Sequence, residues 1–135
     1  MPEVVIAADP GRGKCGIAVV LRNGEVAHRA VVPAAELAER IAELLGLYPS
    51  ATVVLGNRTG AREAEAAIQA RCGVRPVFVD ESGSTLEGRR RYFRDNPRRG
   101  WRRLVPIGLQ TPPRPYDDFV AVVLAERYLK ALDRG

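Results

Sequence analysis

The 135-residue chain is poor in the residues that build the commoner metal and redox sites. It has one histidine, His28, and two cysteines, Cys15 and Cys72, far apart and in no C-x-x-C pattern. That excludes a His/Cys zinc site and any His-based catalytic triad. It also leaves both cysteines expected as free thiols, as in a reducing compartment. No run approaches the ~20 apolar residues of a membrane span. No basic segment followed by an apolar core opens the chain, so the cytoplasm is the expected location, with no membrane partner. Any metal site must therefore be built from carboxylates, which favours magnesium or manganese.

Basic residues are plentiful but unevenly placed. The chain carries a net +5. The window 89–103 alone holds eight arginines (Arg89, Arg90, Arg91, Arg94, Arg98, Arg99, Arg102, Arg103) and one acid, Asp95. Its net +7 leaves −2 for the rest of the chain. A local arginine field points to phosphate, and so to nucleic acid, more than an evenly basic surface does; the alternative is a solvated helix face. Trp101 lies inside that field and suits stacking on an unpaired base or packing on the core.

The stretch 4–20, VVIAADPGRGKCGIAVV, organises the rest. An apolar run delivers Asp9, the Pro10-Gly11-Arg12-Gly13 turn follows, and a second apolar run returns. On its own this stretch leaves three readings of Asp9 open: a metal ligand, part of a phosphate cradle with Arg12 and Lys14, or a turn cap. Asn23-Gly24 then signals a hairpin joining strands 16–22 and 25–32. Pro33 opens an amphipathic helix over 34–48, with Leu37, Ile41, Leu44, Leu45 and Tyr48 on one face. Thr52–Leu55 reads as a strand ending in Gly56-Asn57-Arg58-Thr59, Ala61–Arg71 as a helix stopped by Gly73, and Pro76–Val79 as a strand delivering Asp80 and Glu81. The Ser84/Glu87 spacing predicts a capping box for a helix ending by Pro97. Residues 96–116, with five prolines, read as a long connection mostly without regular structure. Asp117–Leu132 reads as a last helix whose apolar 119–125 segment is buried.

The order β-β-β-α-β-α-β-α-α predicts one domain over 1–135, an α/β fold with a mixed five-stranded sheet. Three antiparallel strands come first, then two parallel ones reached by helical crossovers, with helices on both faces. Ligands gather at the C-terminal ends of parallel strands. Asp9, Glu81 and the Asp117-Asp118 pair are brought to that edge from distant parts of the chain. Such a cluster of like charges calls for a cation, and paired divalent ions on carboxylates are phosphodiester-cleaving machinery. Either member of the Asp117-Asp118 pair also suits a helix N-cap.

These segments resemble the YqgF family, also called RuvX, of the RNase H-like superfamily. Asp9-Pro10-Gly11 with Gly16-Ile17-Ala18 is similar to its opening D-x-G-x-x-x-x-G-x-A. Val53-Val54-Leu55-Gly56 is similar to its v-v-x-G strand end, and Asp80-Glu81-Ser82-Gly83-Ser84-Thr85 to its D-E-R-x-[ST]-T. Asp117 through Tyr128-Leu129 is similar to its closing helix, and matching back from Tyr128-Leu129 puts the family aspartate on Asp117. The resemblance implies an RNase H-like fold and a Mg²⁺- or Mn²⁺-dependent nuclease with Asp9, Glu81 and Asp117 as metal-binding acids. It also implies a role in 5′-end maturation of 16S ribosomal RNA or, by analogy with the RuvC resolvase, at Holliday junctions. A symmetric junction would require a homodimer. The family arginine is Ser82 here, and the Gly56–Thr59 turn is closer to the G-N-G-T of the YqgF-like domain in Tex, a nucleic-acid-binding module. On the nuclease reading Arg12, Lys14 and Arg58 position the phosphate, and Arg89, Arg90, Arg94, Arg98, Arg99, Arg102 and Arg103 grip the backbone of structured RNA or branched DNA. A phosphotransferase of the actin and sugar-kinase type shares the strand–Asp–Gly-turn motif but needs two such domains.

Overall fold

The structure, a computed structural model, describes residues 4–98, 100–109, 112 and 115–134. The two apolar runs around the Asp9 turn are strands β1 (Val4–Asp9) and β2 (Lys14–Leu21), paired antiparallel. The Asn23-Gly24 turn forms as expected: Gly24 takes φ +94°, and Asn23 Oδ1 accepts the Glu25 N–H at 2.9 Å. It leads into β3 (Val26–Pro33), antiparallel to β2, with a register shift at Val19/Val20.

Pro33 ends the sheet, but residues Ala34–Glu36 form a 3₁₀ turn before helix α1 begins (Leu37–Leu47). Strand β4 (Thr52–Gly56) and β5 (Val77–Val79) flank α2 (Ala61–Cys72). Both strands run parallel to β1, as helical crossovers require. The sheet order is β3-β2-β1-β4-β5. Helix α3 spans Ser84–Asp95 and α4 spans Asp117–Arg134.

One expectation needs correction. The Ser84/Glu87 capping box does not form. Gly83, at φ +73°, sits at the N-cap and Ser84 is the buried first residue of α3. The Glu87 carboxylate instead accepts a hydrogen bond from Arg127 of α4. The 96–116 connection is mostly without regular structure among its described residues, as expected, with short 3₁₀ turns at Gly100–Leu104 and Ile107–Leu109.

Strand side chains alternate between the two faces of the sheet, and each face has its own core. On one, Ile6, Ile17, Val19, Val53 and Leu55 pack against Leu37, Ile41 and Leu44 of α1 and Ile68 of α2. On the other, Val5, Ala7, Ala18, Val20 and Val54 pack against Ala121, Val122, Leu124, Ala125 and Leu129 of α4. The unbroken apolar run Phe119–Ala125 is buried throughout, as its composition predicts. Helix α3 lies on α4, with Tyr92 edge-on to Phe119 at 5.5 Å between ring centres.

Candidate active site

The period of two in a strand decides what surrounds Asp9. Val5, Ala7 and Asp9 share the face that α4 covers. Asp9 pairs across the sheet with Gly16 of β2, two residues before Ala18 of the same face. On the other side, Gly56 ends β4 two residues after Val54 and takes that face too. A side-chain-free position therefore flanks Asp9 on each side, and each seats a further acid.

At Gly16 the backbone of Asp117 lies directly on the strand, and a Cβ there would collide with the Asp117 carbonyl. The close approach brings the first residue of α4 down beside Asp9. At Gly56 the Glu81 side chain lies on the bare Cα, and a Cβ would stand 2.5 Å from Glu81 Cδ. The structure thus brings together Asp9, Glu81 and Asp117. Asp80, the other half of the Asp-Glu pair, points away. It is exposed, and its Oδ1 accepts the Ser82 N–H and hydroxyl at 3.0 and 2.9 Å, a local turn that holds its carboxyl below the usual range.

Asp9 feels both of its acidic neighbours. Burial pushes its pKa up to about 8, helped by a hydrogen bond with Glu81 and by the charges of Glu81 and Asp117. Asp117 Oδ2 is buried and, among the described residues, has no hydrogen-bond partner. Its nearest cation is Lys14 Nζ, at 3.7 Å. Burial also pushes up the Cys15 thiol, with smaller contributions from Asp9 and Asp117. Among the described residues no three His, Cys, Asp or Glu side chains already stand as a metal-binding group. The donor set nevertheless fits a hard divalent cation: oxygen ligands only, a buried carboxyl whose pKa is raised beside two further carboxylates, and a buried carboxylate oxygen without a hydrogen-bond partner among the described residues.

Glu81 is tethered more closely than the others. Its Oε2 accepts the backbone N–H of Arg58 at 2.6 Å, and its own N–H donates to Asn57 Oδ1 at 3.3 Å. Arg127 of α4 donates to the Asp80 carbonyl at 2.7 Å. These partners come from the Gly56–Thr59 turn and from α4, far away in sequence. Only the turn's Gly-Asn composition hinted that its backbone was available. Asp118 has a different role from its neighbour: it is largely buried, and its Oδ2 pairs with Arg29 Nε at 2.9 Å. Burial raises its pKa against the pull of Arg29, whose guanidinium also lies 3.9 Å over the Phe119 ring. Nothing in the sequence singled out Arg29.

The basic residues separate into two groups. Lys14, Arg12 and Arg58 are all exposed: Lys14 lies beside Asp117, Arg12 lines a cleft on the opposite face of the sheet, and Arg58 reaches Glu81 through its backbone N–H. In the arginine field, Arg89 donates to the Tyr116 hydroxyl and Arg98 to the Val105 carbonyl while lying over the Phe93 ring. Arg91 pairs with Glu126. These three brace α3 and the segments around it. Arg90, Arg94 and Arg103 are exposed. Arg99 and the side chains of Trp101 and Arg102 lie outside the described residues. A cleft of about 590 Å³ opens on the opposite face of the sheet, between the Asp9 turn and the starts of α1 and α2. Pro10, Gly11, Cys15, Ala38 and Ala64 line it, and it contains none of the three acids.

No protein-family model matches the chain, and no curated protein matches it. Among solved structures the chain is similar to RuvC from Thermus thermophilus, with 18% identity and a TM-score of 0.62 over 98% of this chain and 96% of that one. It is more distantly similar to a ROK family transcriptional regulator, a homolog of the E. coli MLC protein, with 15% identity and a TM-score of 0.45 over 67% of this chain and 31% of that one. That second likeness is too slight to bear on fold or function. The RuvC likeness agrees with the strand order and helix placement described above, and the architecture is the RNase H-like one expected from the sequence.

Proposed function

We propose that the chain is a divalent-metal-dependent endonuclease of the YqgF type that hydrolyses phosphodiester bonds in structured nucleic acid. The observation that carries this reading is the gathering of Asp9, Glu81 and Asp117 on one face at the strand ends of a RuvC-like sheet. Asp9, Glu81 and Asp117 would hold Mg²⁺ or Mn²⁺. Bound there, such ions supply an activated water and a stabilised leaving oxygen. The chain's own residues do the rest. Asp9 would bind a cation in its ionised form, so its raised pKa would make metal affinity rise with pH. Lys14, now 3.7 Å from Asp117, is placed to take the scissile phosphate. On this reading Arg12 and Arg58 would add contacts to the nucleic acid, and the glycines of the 10–13 turn would let its backbone come close. Arg90, Arg94 and Arg103 extend the grip along the strand.

Two substrates fit this chemistry. The resemblance to YqgF supports precursor 16S ribosomal RNA, and the likeness in fold to RuvC supports a four-way DNA junction. Incubation of the protein with each labelled substrate, in Mg²⁺ or Mn²⁺, separates them. Metal-dependent cleavage of one substrate, lost in Asp9→Asn, supports the nuclease and names its target. Binding without cleavage by the wild type refutes it in favour of a Tex-like binding module.

A further inference from the structure

Strand β5 is only three residues long and pairs with β4 alone, so the sheet does little to hold the loop that follows it. Yet this loop, residues 80–83, carries Glu81. It is held instead by two side chains from elsewhere. On the β4 side, Asn57 Oδ1 accepts the Glu81 N–H at 3.3 Å, and the next peptide presents the Arg58 N–H to Glu81 Oε2 at 2.6 Å. On the α4 side, Arg127 Nη1 donates to the Asp80 carbonyl at 2.7 Å and Nη2 to Glu87 Oε1 at 2.6 Å. The first arm fixes Glu81 at both its backbone and its carboxylate. The second ties the loop and the first turn of α3 to the helix that begins with Asp117.

We infer that Asn57 and Arg127 are positioning residues that hold Glu81 in register with Asp9 and Asp117. This rests on the metal-dependent nuclease reading. Neither residue touches the other two acids, and neither need touch substrate. Asn57 is exposed, so removing its side chain leaves no cavity and takes no apolar surface out of the core. Its effect belongs in the geometry of Glu81. Arg127 is partly buried, and both its guanidinium nitrogens that donate do so to the segment 80–87. One helix therefore supplies an acid at its start and, about 15 Å further along, the brace for a second acid. A change in the pitch of α4 would move both together.

The test uses two readouts on the full chain. The first is the amide proton shift of Arg58 in ¹H–¹⁵N spectra of metal-free protein, since a short bond to a carboxylate moves that signal downfield. The second is Mn²⁺ affinity by calorimetric titration. Asn57→Ala is expected to move the Arg58 amide upfield and to weaken Mn²⁺ binding roughly 10- to 100-fold, the range seen when support of a metal ligand is removed. Asn57→Asp keeps the acceptor oxygen and is expected to restore both to near wild type. Arg127→Ala is expected to weaken Mn²⁺ binding in the same range, and Arg127→Lys to recover part of the loss. Wild-type shift and affinity in both alanine variants would overturn the inference. So would failure of Asn57→Asp to restore what Asn57→Ala loses, because a general loss of fold is not rescued by one oxygen. If the wild type itself does not bind Mn²⁺, the nuclease reading falls. The Arg58 signal then decides alone: moved in Asn57→Ala and restored in Asn57→Asp, it supports the brace; unmoved, it refutes it.

Discussion

The two faces of the sheet are built from the same strands and serve different ends. Under α1 and α2 the strands present Ile6, Ile17, Val19, Val53 and Leu55, branched side chains that interlock with Leu37, Ile41, Leu44 and Ile68. Under α4 they present Val5, Ala7, Ala18, Val20 and Val54, and then Asp9 between two glycines. The first face fills volume. The second gives up volume so that a helix and a glutamate can come within reach of a buried carboxyl. Alternation along one strand lets Ala8 face one layer and Asp9 the other. On the nuclease reading, stability and function are separable by parity, and substitutions test that separation.

The largest effect should come from Asp9→Asn. It is expected to lower the rate of cleavage by about a thousandfold or more, roughly 4 kcal/mol on the barrier, measured by single-turnover cleavage of the substrate the wild type cuts. Next are two substitutions chosen from opposite faces. Ile41→Ala removes a fully buried side chain beneath α1 and is expected to cost about 2–5 kcal/mol of unfolding free energy, with Mn²⁺ affinity unchanged within error. Gly56→Ala is expected to weaken Mn²⁺ binding about tenfold, because the added methyl would displace the Glu81 side chain that lies on the bare Cα. Denaturant unfolding and calorimetric titration of both variants check the contrast. If Ile41→Ala abolishes metal binding, the faces are not separable.

Acidity gives a third contrast. The folded-state pKa of Asp9, about 8, lies above its ordinary value of 3.8. In metal-free solution the folded chain then holds a proton that the unfolded chain has released. Asp9 contributes stability below about pH 4 and loses it progressively as pH rises through 8. The melting temperature in a chelating buffer should fall from pH 5 to pH 9, and Asp9→Asn should flatten that slope. A wild-type profile that stays level would show that Asp9 does not titrate far above its ordinary range. The smallest effect is expected from the exposed arginines. Each of Arg90→Gln, Arg94→Gln and Arg103→Gln should reduce the slope of log affinity against log salt by about one, measured by fluorescence anisotropy with a nucleic-acid probe. Arg91→Gln should leave that slope alone and lower stability instead, since Arg91 pairs with Glu126.

How far the sequence shows these differences depends on how local the cause is. The strands, the Asn23-Gly24 hairpin, the crossovers and Asp9 at its strand end all follow from neighbours within a few residues, and they stand in the structure as read. The Glu81 position was legible at the level of a strand end, but Asp80 and Glu81 are adjacent. The residues alone do not separate them; the resemblance names Glu81, and the Ser82 turn and the Gly56 seat agree. Between Asp117 and Asp118 the local pattern is equally silent, and the resemblance of the closing helix names Asp117. Arg29, 89 residues away, takes Asp118, while Asp117 rests on Gly16. The capping-box spacing at Ser84 and Glu87 misled because Arg127, forty residues on, claims the Glu87 carboxylate. The arginine window gave the right charge, but a count cannot tell Arg89, bound to Tyr116, from Arg90, open to solvent. Interactions that close over long loops leave no short-range mark, and these were the ones missed.

The account turns on three acids acting as one site. Its most direct test is calorimetric Mn²⁺ titration of the wild type beside Asp9→Asn, Glu81→Gln and Asp117→Asn, with Asp80→Asn and Asp118→Asn as neighbours. Binding by the wild type that weakens at least tenfold in each of the first three, and stays within about threefold in Asp80→Asn, is the predicted result. Affinity that survives all three of the first substitutions, or that falls most in Asp80→Asn or Asp118→Asn, would contradict it.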